Sequence, residues 1–176
     1  IFDIATGKEE KTINLGTGFI PSYALSPDRR TLAWSNSETI HFLDLDSAKE
    51  RTVADSAGSP YWSARFSPNG ELLAIGSRDG TVELWRTGTW DKLRTLRGHT
   101  KWVSSVTFSP DNKTLAAVGD ENGKVVVWDV PTGTERRIIE PGERTFPIAI
   151  SPDGAWLATG NAKGVVQLWD VQSGTG

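Results

Sequence analysis

A short turn signature recurs along the chain at a nearly constant interval. Ser-Pro followed by Asp or Asn begins at Ser26, Ser67, Ser109 and Ser151, so successive copies lie 41, 42 and 42 residues apart. A second marker has the same period. It is a strand ending in a Trp-Asp-like pair before a turn, at residues 2–4, 43–45, 85–87, 128–130 and 169–171. Because two independent markers share one period, the chain is an array of repeats.

Each repeat contains only strand patterns. In the third repeat, Val103, Val106 and Phe108 mark a first strand that leads into the Ser-Pro-Asp turn, and Asn122-Gly123 is a hairpin signal. Apolar residues do not recur with a helical period over eleven residues or more. The sequence therefore predicts an all-β fold, a β-propeller of four-stranded antiparallel blades, with four blades in this chain and no helix.

Composition narrows the classes of partner. The net charge is −3 and the 19 Lys and Arg residues are scattered singly or in pairs, so no basic stripe for nucleic acid is expected. No apolar run approaches a membrane span, so we expect no membrane partner. The absence of cysteine excludes disulfides and fits a reducing, cytoplasmic location. Gly16-Thr17-Gly18 lacks the rest of a phosphate-binding fingerprint, and we expect no cofactor and no metal.

Two segments carry a family resemblance. Residues 96–133, LRGHTKWVSSVTFSPDNKTLAAVGDENGKVVVWDVPTG, contain Gly-His and Trp-Asp elements in sequence, and residues 64–88, ARFSPNGELLAIGSRDGTVELWRTG, follow the same pattern. With these motifs the chain resembles the WD40-repeat β-propellers over essentially its whole length. The first repeat keeps the pattern least well.

The repeat markers divide the chain into five parts. Residues 1–7 are predicted to be the strand and turn of an upstream or closing blade, and the four blades cover residues 8–47, 48–89, 90–133 and 134–176. This leaves a surplus N-terminal strand. Three architectures account for it: a fragment of a seven- or eight-bladed parent, which we favour, two four-bladed chains that complete one ring, or a four-bladed ring.

The resemblance implies a structural role for His99. In the family, the Gly-His histidine joins a buried hydrogen-bonded set with a Ser/Thr, an Asp and a Trp, which satisfies buried polar groups. His99 and Trp128 match two positions, whereas Asn122 and Val118 are expected at the Asp and Ser/Thr positions, so this network is predicted to be incomplete. In other blades the matches are Asp79 with Trp85, where Ile75 replaces Ser/Thr, and Thr159 with Trp169, where Lys163 replaces Asp. A catalytic or metal-binding role for His99 is disfavoured because His41 is the only other histidine.

The resemblance also implies a docking face, at the loops that enter the first strand of each blade. The predicted partner-binding residues are Lys101, Trp102, Ser104, Tyr61, Trp62, Arg144 and Phe146, with Pro60 and Phe19 beside them. Trp, Tyr and Arg dominate interface hot spots. We therefore expect a non-enzymatic scaffold that binds a protein or peptide near the central channel. Alternatives are a structural or assembly module, including a homo-oligomer that completes a ring, and an enzyme with a channel active site.

Overall fold

The computed structural model describes residues 6–9, 12–15, 22–35, 39–54 and 61–176. Within these ranges it contains fifteen β-strands and no helix, as the repeat pattern predicts. The first two sheets comprise β1 (Ser22–Leu25), β2 (Thr31–Ser35), β3 (Thr39–Asp44) and β4 (Glu50–Ala54), then β5 (Tyr61–Phe66), β6 (Leu72–Ser77), β7 (Thr81–Arg86) and β8 (Lys92–Arg97). The last two comprise β9 (Val103–Phe108), β10 (Thr114–Gly119), β11 (Val125–Asp129) and β12 (Glu135–Ile139), then β13 (Thr145–Ile150), β14 (Trp156–Asn161) and β15 (Val166–Asp170).

Every sheet is an antiparallel meander in which sequential strands pair. The strand orders are β1-β2-β3-β4, β5-β6-β7-β8, β9-β10-β11-β12 and β13-β14-β15. Three of the sheets therefore have four strands, the number predicted for a blade, and the fourth sheet has three. The predictions for Phe2–Ile4, Phe19 and Pro60 lie outside the described residues. The larger parent and the two-chain ring stay predictions, whereas a four-bladed ring does not agree with the open arc that the described sheets form.

The Ser-Pro turns share one geometry. The serine hydroxyl donates to the side-chain oxygen two residues later, as in Ser26 to Asp28 at 2.5 Å and Ser67 to Asn69 at 2.7 Å. The same hydroxyl accepts the N–H of the residue five positions on, which closes the turn onto the second strand. The fourth residue has positive φ in each turn: 63° for Arg29, 75° for Gly70, 63° for Asn112 and 75° for Gly154.

Alternating side chains bury both faces of the two central sheets. In the second sheet, the cross-strand partners Leu73 and Trp85 pack toward the first sheet, whereas Ala74 and Leu84 pack toward the third. In the third sheet, Trp128 faces the second sheet and Val127 faces the fourth. The core is therefore three apolar layers between four stacked sheets, as blades of a propeller require.

The first strands of the sheets, β1, β5, β9 and β13, lie side by side. Serine hydroxyls connect them: Ser22 accepts the N–H of Ala64 at 2.7 Å, and Ser63 accepts that of Val106 at 3.1 Å. The described residues form an open arc, not a closed ring. The fourth sheet exposes an apolar outer face, with Leu168 57% exposed, and Tyr23 is 72% exposed on the first sheet.

Candidate functional site

Three aromatic side chains form a continuous row across three blades. Trp62 lies in β5, Trp102 directly precedes β9, and Phe146 lies in β13. The ring centroids of Trp62 and Trp102 are 5.7 Å apart, and those of Trp102 and Phe146 are 6.3 Å apart, both in edge-to-face geometry. We call Trp62, Trp102 and Phe146 the aromatic row. Trp102 therefore contacts both of the other predicted rings.

Irregular pairing at the start of each first strand lies beside these rings. The register of β5 against β6 shifts between Tyr61 and Ser63, which leaves Trp62 as the extra residue. The register of β13 against β14 shifts between Thr145 and Ile148, around Phe146. In β9 the shift lies at Ser104, two residues after Trp102. Because bulges redirect side chains, they account for aromatic rings at the edge of strands that otherwise point into the core.

Arg144 stacks over the same row. Its guanidinium carbon lies 5.1 Å from the centroid of the Trp102 ring and 4.8 Å from that of Phe146. Such cation–π contacts are worth about 0.5–1 kcal/mol at exposed sites and fix the arginine in place. Phe146 is 38% exposed and Trp102 is half-buried. The arrangement presents aromatic and cationic surface together.

Lys101 and Ser104 occupy different surroundings. Lys101 is exposed, and its ammonium group lies 2.5 Å from the carboxylate of Glu121. The hydrogen bond and charge of Lys101 hold the pKa of the Glu121 carboxyl below its usual value. The Ser104 hydroxyl donates to the carbonyl of Val118 at 3.2 Å and is turned toward its own sheet. Lys101 therefore borders the row, and Ser104 supports the strand beneath it.

Tyr61 does not belong to this surface, which corrects the prediction. It is 1% exposed, and its hydroxyl donates to Glu83 Oε2 at 3.1 Å. The same oxygen accepts the Trp85 Nε1–H at 3.1 Å, and Lys92 pairs with the other carboxylate oxygen. The bulge at Trp62 places Tyr61 and Trp62 in different environments. Sequence reasoning missed Glu83, although its position two residues before Trp85 puts both on one strand face.

A shallow groove opens beside the aromatic row. It has a volume of about 540 Å³ and is lined by Trp62, Arg78, Thr100, Lys101 and Trp102. Arg78 is at the tip of the β6–β7 hairpin and was not predicted as a site residue. Its position in the SRDG hairpin, on the same side of the blade as the loops entering the first strands, is the signal that could have identified it.

A larger groove, of about 640 Å³, lies at the Ser-Pro turns of the third and fourth sheets. Its cationic side chains are engaged by the protein itself. Arg136 pairs with Asp129, and Arg137 donates to the carbonyl of Gln172 at 2.5 Å. Because these groups stabilise the outer strands, this groove offers fewer free contacts than the one beside the aromatic row.

His99 is fully enclosed, as a structural role requires, but its acidic partner differs from the predicted one. Its side chain has no accessible surface, and Nδ1 lies 3.1 Å from Asp120 Oδ2. Asp120 therefore supplies the carboxylate, and the prediction that Asn122 holds this position is wrong. The hairpin between Leu115 and Trp128 is one residue longer than that between Leu73 and Trp85, so the turn positions of the two hairpins do not correspond one for one.

Asp120 also ties down the loop before β9. Its Oδ1 accepts the N–H groups of Thr100 at 2.9 Å and Lys101 at 2.7 Å. Burial alone would raise the pKa of the Asp120 carboxyl, but the hydrogen bonds from Lys101, His99 and Thr100 outweigh it and lower the pKa. Burial lowers the pKa of His99, against the opposing effect of Asp120, which favours the neutral imidazole.

The expected Ser/Thr position was also misplaced by one residue. Val118 packs among the residues facing the fourth sheet, whereas Trp128 and Ala117 pack on the other face. Because side chains alternate along a strand, Ala117 is the residue on the His99 and Trp128 side. Alanine has no hydroxyl, and His99 Nε2 is a buried nitrogen without a hydrogen-bond partner. The network is therefore incomplete, for a reason different from the one predicted.

The remaining structural residues divide into two kinds. In the fourth sheet, Trp169 Nε1 donates to Thr159 Oγ1 at 2.9 Å, so the predicted pair is in contact. In the second sheet, Asp79 accepts the N–H and hydroxyl of Thr81 at 2.9 and 2.7 Å, whereas Trp85 donates to Glu83. Asp79 and Trp85 are therefore not joined by a hydrogen bond in the structure. The His99 and Trp128 rings lie edge-to-face with centroids 6.0 Å apart.

The described ranges contain neither a cluster of metal-ligating side chains nor a helix that could span a membrane. None of the described residues form a group of three or more His, Cys, Asp or Glu side chains that could hold a metal ion. Likewise, the part of the chain that the structure describes has no helix of the length and apolarity needed to span a membrane.

These observations define an all-β repeat protein built of propeller blades, with one aromatic face across three of them. The WD40 family model, described as WD domain, G-beta repeat, matches residues 51–86, 90–129 and 148–170, more than half of the chain. The protein therefore belongs to the WD40-repeat family. Proteins of this family generally act as protein-interaction scaffolds.

Relatives come from animals, bacteria and fungi. The chain is 29% identical over 145 residues to Protein groucho of Drosophila melanogaster, covering 81% of this chain and 20% of the relative. It is 33% identical over 145 residues to an uncharacterized WD repeat-containing protein of Synechocystis, covering 81% and 41%. It is 30% identical over 142 residues to Nuclear distribution protein PAC1 of Arthroderma benhamiae, covering 74% of this chain and 31% of the relative. The chain thus spans less than half the length of these relatives.

Proposed function

We propose that this protein is a non-enzymatic, cytoplasmic interaction scaffold that binds a protein or peptide partner on the aromatic row, together with Arg144 and Lys101. The observation that carries this proposal is the continuous contact from Trp62 through Trp102 to Phe146 across three blades. Aromatic residues and arginine are the side chains most enriched at interface hot spots. Lys101 extends the face toward the β10–β11 hairpin.

The rigidity of this face supports the proposal. Trp102 is held between two rings and under Arg144, while the loop before it is anchored by Asp120. A surface that is ordered before binding loses less conformational entropy when the partner docks. The network around His99 thus has an indirect role, because it orders the backbone that presents Trp102.

Single alanine variants test the proposal. Trp102→Ala, Trp62→Ala and Phe146→Ala should each reduce capture of specific partners from a lysate of the source organism, with Trp102→Ala the most severe because it contacts both other rings. Trp156→Ala is the matched control, since Trp156 is 47% exposed on the outer face of the fourth sheet. Quantitative mass spectrometry compares the captured proteins, and circular dichroism verifies folding. If Trp102→Ala and Trp156→Ala capture the same proteins as the unmodified chain, the proposed face is wrong.

An assembly module is the second candidate. It is favoured by the apolar outer face of the fourth sheet, where Trp156, Val166 and Leu168 are exposed, and by Tyr23 and Leu25 on the first sheet. Such surface is usually covered by a neighbour. Light scattering coupled to size-exclusion chromatography distinguishes a two-chain ring, with twice the chain mass of 19.2 kDa, from a monomer. A concentration-independent monomer would contradict the homo-oligomer.

A further inference from the structure

Three cationic side chains from three different blades surround the aromatic row. Arg78 extends from the β6–β7 hairpin, Lys101 from the loop before β9, and Arg144 from the loop before β13. All three residues are exposed. Arg78 and Lys101 line the groove beside the two tryptophans, and Arg144 covers the Trp102–Phe146 end. The row therefore has positive charge at both ends.

The acidic side chains of the neighbouring loops are directed elsewhere. Asp79 is bonded to Thr81, and Asp120 to His99 and the loop backbone. Glu143 pairs with Lys163 at 2.5 Å and also accepts a bond from Asn161. Glu121 forms an ion pair with one of the three cations, Lys101, and its charge also acts on Arg144 without forming an ion pair with it. Among the described residues, Arg78 and Arg144 form no ion pair.

The combination of aromatic and cationic groups indicates which kind of ligand the groove can bind. A guanidinium with free donors binds a carboxylate through two parallel hydrogen bonds, and a groove lined by tryptophans binds an apolar or aromatic side chain. Three cations in a chain of net charge −3 are too few to follow a nucleic acid backbone, which needs a basic stripe. A short acidic peptide carries both carboxylates and apolar side chains, and its length suits an aromatic row that extends over three blades.

We propose that the groove beside the aromatic row binds an acidic peptide segment: an apolar or aromatic side chain packs against Trp62 and Trp102, and flanking Asp or Glu carboxylates pair with Arg78 and Arg144. This inference rests on the proposed function and specifies its partner. Arg78 binds one end of the segment and Arg144 the other, while Lys101, which is paired with Glu121, borders the middle. Attraction between opposite charges accelerates encounter and disfavours basic peptides.

Selection from a phage library of random linear peptides tests the partner chemistry without knowing the natural partner. The intact chain is the bait, and the enriched clones are synthesised as fluorescent peptides for anisotropy titrations. We expect enrichment of Asp and Glu around one apolar or aromatic residue, and affinity that falls as salt is raised. Arg78→Glu should weaken binding of these peptides at least tenfold, whereas Arg78→Lys, which keeps the charge but loses the paired hydrogen bonds, should weaken it less.

Controls separate this inference from the proposed function. Arg86→Glu makes the same charge change on an exposed arginine at the other end of β7 and should leave affinity within twofold. Enriched peptides that are neutral or basic, or that bind Arg78→Glu as tightly as the unmodified chain, overturn the acidic partner. If those peptides are still lost with Trp102→Ala, the interaction face stands and only its chemistry is wrong. If the enriched peptides bind Arg78→Glu and Trp102→Ala as tightly as the unmodified chain, or if no peptide is enriched, the interaction face is contradicted as well.

Discussion

Asp120 is the residue whose loss should most clearly separate the folding role of this loop from its binding role. Its carboxylate accepts hydrogen bonds from the buried His99 ring, from the N–H and hydroxyl of Thr100, and from the N–H of Lys101. We predict that Asp120→Ala destabilises the chain strongly. The same change should also loosen the backbone that presents Trp102.

The expected loss of stability in Asp120→Ala follows from the hydrogen-bond donors that lose their acceptor. Removing the carboxylate leaves the His99 N–H buried without a partner, at a cost of about 1–3 kcal/mol. The Thr100 and Lys101 N–H groups lie near solvent and lose about 1 kcal/mol each. Asp120 also has a φ of 61°, a conformation that costs alanine about 1–2 kcal/mol. A decrease of about 4–7 kcal/mol in the free energy of unfolding is expected, large against the 5–15 kcal/mol of ordinary domains.

The assay is equilibrium unfolding in urea, monitored by tryptophan fluorescence and by circular dichroism. Asp120→Gly removes the same hydrogen bonds but relieves the positive φ, so it should be less destabilising than Asp120→Ala by up to about 1 kcal/mol. Glu121→Ala, at the exposed tip of the same hairpin, is the control and should have little effect. An Asp120→Gly variant as stable as the unmodified chain would refute the argument that these hydrogen bonds anchor the loop.

Three further predictions concern the same physical features. Burial lowers the pKa of His99 below 6.5, so the unfolded chain takes up this proton at a higher pH than the folded chain does. The free energy of unfolding should therefore decrease below about pH 6.5, by at most about 1.4 kcal/mol per pH unit, and level off below the folded pKa. Urea titrations of the unmodified chain and of His99→Gln at several pH values measure this difference. Ala117→Ser gives His99 Nε2 a hydroxyl partner and should increase the free energy of unfolding by about 1 kcal/mol, seen as a higher urea midpoint. A lower midpoint would mean that the site has no room for the hydroxyl. Gly154→Ala places a side chain at a φ of 75° with no atom within 4 Å, so calorimetry should show a loss of about 1–2 kcal/mol, while Arg29→Gly at the equivalent turn position should be neutral or stabilising.

The repeat pattern predicted the strands well because the turns that separate them are chemically specific. Each Ser-Pro turn closes through its own serine and its Asp or Asn, so its geometry depends on neighbouring residues only. The aromatic row was predictable for the same reason: equivalent positions in adjacent blades lie side by side, and Trp62, Trp102 and Phe146 are in contact.

What the sequence could not predict depends on register. In the third hairpin the carboxylate that meets His99 comes from Asp120 and not from the expected Asn122 position, and strand alternation places Ala117, not Val118, beside Trp128. A bulge at Trp62 separates it from the buried Tyr61. The Glu83 carboxylate accepts hydrogen bonds from Tyr61, Trp85 and Lys92, which lie on three different strands, and no local sequence pattern predicts this. Single-residue shifts thus decide which side chain reaches the site.

The most direct measurement of the central claim is an amide hydrogen-exchange footprint of the chain with its captured partner or selected peptide. Binding on the aromatic row predicts slower exchange around Trp62, in residues 101–104 and around Phe146, with no change around Trp156. Slower exchange confined to the outer faces of the first and fourth sheets, with the aromatic row unchanged, would contradict the account.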